Sequence, residues 1–83
     1  MLLETAALEA LAAADRALAR AYGPRRLRVL DVKASILEAR GDRAGAKAVL
    51  EDAVAFGAAL PPAQRSEPAV SRLQARLQKL GGE

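Results

Sequence analysis

Over residues 2–22 the large apolar side chains Leu8, Leu11, Leu18 and Tyr22 return at spacings of three, seven and four, while Glu9, Arg16 and Arg20 fall on the other side. That is the period of an amphipathic helix. Gly23-Pro24 is expected to end it, Gly23 as a left-handed cap and Pro24 in the first turn of the next helix. A second helix over 25–40 puts Leu27, Leu30, Ala34 and Leu37 on one face, widened by Val29, Val32 and Ile36. Gly41-Asp42 then breaks the pattern: Gly41 can take positive φ and close the helix, and Asp42 can accept hydrogen bonds from the first free N–H groups of the next.

A third helix over 43–59 directs Ala46, Val49, Leu50, Ala53, Gly57 and Leu60 to a core and leaves Lys47, Glu51 and Asp52 outside. Its small residues let helix backbones approach closely. Leu60-Pro61-Pro62 ends it, Ser66 is placed to cap a fourth helix over 67–80, and Pro68 suits its first turn. That helix carries Val70, Leu73, Leu77 and Leu80 on one side, and Gly81-Gly82 ends it. No segment alternates with period two, so no strand is expected. Short connectors between four helices predict one all-α domain over 1–83, built of sequential antiparallel hairpins.

Composition narrows the chemistry. The 83 residues include no Cys, His or Trp, and carry a formal charge of +3. Triads, structural metal sites and most acid–base pairs draw on His, Cys or converging carboxylates. Glu51 and Asp52 are adjacent and point apart; Asp31 and Glu38, seven apart, can share a face, where a solvated surface or a salt bridge to Arg28 is the plain expectation. No phosphate-loop pattern accompanies the glycines. The expectation is a non-catalytic chain with no cofactor and no metal. The opening "MLLETAALEALAAADRALAR" lacks a positive leader and places Glu4 and Glu9 in its apolar stretch, so neither a signal peptide nor a membrane span is expected and the compartment read from it is cytoplasmic.

Two helix pairs repeat weakly. Leu27, Leu30, Ala34 and Leu37 superpose on Val70, Leu73, Leu77 and Leu80 at a shift of 43, and Leu11 and Ala14 on Leu50 and Ala53 at a shift of 39. Here the chain resembles the tetratricopeptide (TPR) repeats. With Gly41 at that family's inter-helix turn, Leu30, Ala34 and Leu37 fall on the first helix's large, small and usually aromatic positions, and Ala46, Leu50 and Ala53 on the second helix's small, large and small ones. Lys33 stands where the family prefers leucine, Leu37 replaces an aromatic, and the closing proline comes late, at Pro61. The resemblance covers 27–60, and helices 2–22 and 67–80 flank that hairpin. A plain four-helix bundle is the competing architecture; helix order in space separates the two.

The resemblance implies a protein- or peptide-binding module or scaffold. It places Arg28, Asp31, Val32, Ser35, Glu38 and Ala39 on the concave surface. Members that clamp a C-terminal carboxylate use Lys and Asn at two of these positions, where this chain has Asp31 and Ser35, which argues against such a clamp. A second surface is the apolar edge of the first helix at Leu8 and Leu11, suited to another copy or a neighbouring domain. The runner-up is a small basic nucleic-acid-binding protein, drawing on Arg25, Arg26 and Arg28 and on Arg65, Arg72, Arg76 and Lys79. Without aromatics to stack bases, these would reach phosphate alone. The run "LPPAQRSEPAVSRLQARL" also looks like the tail of helical appendages that follow thioredoxin-like domains in some bacterial proteins, which makes an accessory module the third reading.

Overall fold

The structure, a computed structural model, describes residues 2–81, with side chains from Thr5 onward. Four helices succeed one another: α1 (Leu2–Leu18), α2 (Gly23–Ala39), α3 (Arg43–Ala59) and α4 (Glu67–Gly81). No strand occurs among the described residues. Gly82 lies outside them.

The end of α2, both ends of α3 and the start of α4 follow their punctuation. At the α2–α3 turn Gly41 has φ 83°; its N–H donates to Glu38 O at 3.0 Å, and the Asp42 N–H donates to Leu37 O at 2.9 Å. These paired bonds satisfy carbonyls that a helix end leaves free. The Asp42 carboxylate then accepts from the Gly45 N–H at 2.9 Å and starts α3. Ser66 Oγ does the same for α4 through the Ala69 N–H at 3.3 Å. Leu60, held extended before Pro61, closes α3.

The first helix departs from expectation. It stops at Leu18, four residues early, and Tyr22 is 84% exposed instead of completing the apolar stripe. The chain tightens here, Arg20 N–H reaching Ala17 O at 3.1 Å, and Tyr22 is already the extended N-cap of α2. Gly23, at φ 59°, opens α2 instead of closing α1. At the end of α1, Arg26 Nη1 donates to Leu18 O at 3.2 Å, satisfying a carbonyl that the helix end leaves free. The packed stripe of α1 is Leu11, Ala14 and Leu18, of which Ala14 is buried.

Leu27, Leu30, Ala34, Leu50, Ala53 and Leu73 form the core, with Leu50, Ala34 and Ala53 fully buried. Gly57 marks the closest approach. A Cβ there would meet Val70 Cγ2 at 3.1 Å and Leu27 Cδ1 at 3.2 Å, so α3 wedges tightly between α2 and α4 and a larger residue would press on both. That contact joins the end of α3 to the starts of α2 and α4, and Lys47 near the start of α3 lies 3.8 Å from the Cβ position of Gly81. Successive helices are therefore antiparallel.

Extensive packing joins α1 to α2, α2 to α3 and α3 to α4. A closed two-by-two bundle of such helices would be about 25 Å long and roughly 15 Å across in both other directions. This molecule measures 43 × 33 × 15 Å. It is an open array two layers thick, and the closed bundle is excluded. No helix among the described residues is long and apolar enough to cross a membrane.

Candidate protein-binding site

In an open array the first and third of three successive antiparallel helices run parallel, which brings α4 alongside α2. Arg76 of α4 seals the seam. Its Nη1 donates to Asp31 Oδ1 and its Nη2 to Glu38 Oε1 at 2.6 Å and to Ser35 Oγ at 3.2 Å. Arg72, one turn earlier, lies 3.7 Å from Asp31 Oδ2. Positions 31, 35 and 38 share one flank of α2 because they stand four and three residues apart. Burial works against the Arg76 charge, but the Glu38 bond and the Asp31 charge outweigh it and hold the guanidinium above its ordinary value.

Toward the N-terminal ends of α2 and α4 lies a cleft of about 220 Å³. Leu27 and Leu73 form an apolar floor, Arg28 and Asp31 one wall, Ala69 and Arg72 the other, and Gln64 with Ser66 from the α3–α4 connector close the end.

The residues expected to bind are thus divided. Arg28 and Asp31 line the cleft, and Ser35 and Glu38 continue its flank in the Arg76 network. Val32 is 51% exposed and lies outside the cleft lining, on the outer edge of α2. Leu8, also 51% exposed, and half-buried Leu11 stand on α1. That helix packs on a different flank of α2, where Lys33 binds Asp15 at 2.7 Å. Lys33 thus ties α1 to α2. The Asp31 and Glu38 carboxylates pair with Arg76 and not with Arg28 as expected, because a cation on the neighbouring helix reaches both at once.

Along the chain Arg72 and Arg76 register only as cations on one face, and nothing local marks Gln64, Ala69 and Leu73 as cleft residues. A signal for them is nonetheless present: cations at 72 and 76 match acceptors at 31, 35 and 38 once two parallel helices are laid side by side. Arg26 likewise counts in the sequence only as charge; its guanidinium carbon lies 5.6 Å from the Phe56 ring centroid, tying α2 to α3.

The arrangement holds two carboxylates against an arginine, a structural ion pair and not an acid–base dyad. Among the described residues no group of three or more acidic or other metal-binding side chains comes together. No family model, no curated protein and no solved structure matches this chain.

Proposed function

We propose that this chain is a non-catalytic protein-interaction module of TPR-like type, binding a protein or peptide along the α2–α4 face. One observation carries the reading: α2 and α4 run parallel over an apolar floor, with a cleft between them lined by Arg28 and Asp31. Parallel helices fixed by the Arg76 network give a rigid, preorganised surface, which lowers the entropic cost of binding. The basic stripe of α4 supports nucleic-acid binding less well. Arg76 is bonded to two carboxylates and Arg72 lies beside one, so the stripe presents little continuous positive charge to a phosphate backbone.

The half-exposed Leu8 on α1, a helix whose extensive packing among the described residues is on α2, favours a second reading in which another copy docks on that edge. Light scattering over a concentration series separates the two. A monomer whose photo-crosslinks to partner proteins form from position 69 and not from position 13 supports the α2–α4 face. A dimer abolished by Leu8→Glu supports the α1 edge.

A further inference from the structure

Taking the module reading as its premise, we propose that the α2–α4 cleft recognises an extended peptide segment in which an acidic side chain stands beside a large apolar one. The cleft, about 220 Å³, is smaller than the ~300–1,000 Å³ of ordinary ligand pockets. It suits one large side chain resting on Leu27 and Leu73.

Charge fixes the neighbouring group. Arg28 is exposed and pairs with no carboxylate among the described residues. Arg72 is 67% exposed and touches Asp31 only at 3.7 Å, while that same carboxylate is bonded by Arg76. The walls therefore hold two guanidiniums with unused donors, and Arg28, Arg72 and Arg76 together outnumber the Asp31 and Glu38 carboxylates beside them by one charge. A carboxylate placed between Arg28 and Arg72 gains charge-assisted hydrogen bonds from both. The Gln64 amide at the closed end offers a donor and an acceptor to a peptide main chain. No aromatic ring lines the cleft, so a nucleobase finds no stacking surface, and a sugar-phosphate chain leaves the apolar floor unused.

The test is selection of a displayed random dodecapeptide library on the full chain, with titration of the recovered peptides as synthetic probes. Recovered peptides should share Asp or Glu within two positions of Leu, Ile, Phe or Met. Their affinity should fall about tenfold or more in Arg28→Glu and in Arg72→Gln, with helical content unchanged by circular dichroism, and changing the peptide acid to its amide should cost as much. A peptide acid→Lys exchange should recover binding to Arg28→Glu. Peptides that lack an acid, or that bind both arginine variants as they bind the wild type, overturn the assignment; weakening by Ala69→Glu then leaves the α2–α4 reading standing, and weakening by Leu8→Glu instead moves binding to the α1 edge. Recovery of no peptide, together with oligonucleotide binding at micromolar affinity in physiological salt, overturns both.

Discussion

Arg76 on α4 and Asp31 on α2 are joined across 45 positions of sequence, and the same guanidinium also reaches Glu38 two turns further along α2. The side chain is only 27% exposed, so the bonds are partly shielded from water and salt. Arg76→Ala should lower stability by about 1–2 kcal/mol, seen as a lower urea midpoint at unchanged slope. Because the folded-state value of the guanidinium is raised, its contribution is fully present below the unfolded value and is lost only as pH rises through the folded one. The deficit of the variant should therefore be flat from pH 7 to pH 9. A loss below a few tenths of a kcal/mol would mean that the seam is held by Leu73 and its neighbours alone.

Leu50 is fully buried at the centre of α3 among Leu27, Leu30 and Leu73. Leu50→Ala should cost about 2–4 kcal/mol, measured by the same melts. In a domain this small, that is a large share of the total.

Gly57 gives a paired prediction. Alanine there gains about 1 kcal/mol of helix propensity, but its Cβ presses on Val70 and Leu27 at 3.1–3.3 Å. The terms nearly cancel, and Gly57→Ala should melt close to wild type. Gly57→Val adds two methyls to the same contacts and should cost about 1–3 kcal/mol. Equal stability of the two variants would show that α3 does not wedge between its neighbours.

At the α2–α3 turn, Asp42→Ala removes the acceptor for the Gly45 N–H and should cost about 1 kcal/mol. Gly41→Ala forces a Cβ into φ 83° and should cost a similar ~1 kcal/mol through strain alone, since nothing lies within 4 Å of the added carbon. Hydrogen exchange distinguishes them. Loss of the cap should accelerate exchange at Gly45 selectively.

Legibility in the sequence tracks the range of the forces involved. Gly41-Asp42, Ser66 and Leu60-Pro61 act within a few residues, so the bounds of α3 and the start of α4 can be read directly. The stripes Leu27-Leu30-Ala34-Leu37 and Ala46-Leu50-Ala53 are legible because helical period maps onto burial. The end of α1 is not, since it depends on Arg26 reaching back to Leu18 O, a tertiary contact that no local rule encodes. The site is half legible for the same reason. Arg28, Asp31, Ser35 and Glu38 share a face by spacing, but Arg72, Ala69 and Leu73 join them only after α4 is laid parallel to α2, and Val32 turns out to lie off the cleft.

Whether partners engage the α2–α4 face can be read from amide shifts of the isotopically labelled chain during titration with a recovered peptide. Shifts should concentrate at Leu27, Arg28 and Asp31 of α2 and at Ala69, Arg72 and Leu73 of α4, with α1 unmoved. Shifts centred on Leu8 and Leu11, with the α2–α4 cleft unmoved, would refute engagement of that face.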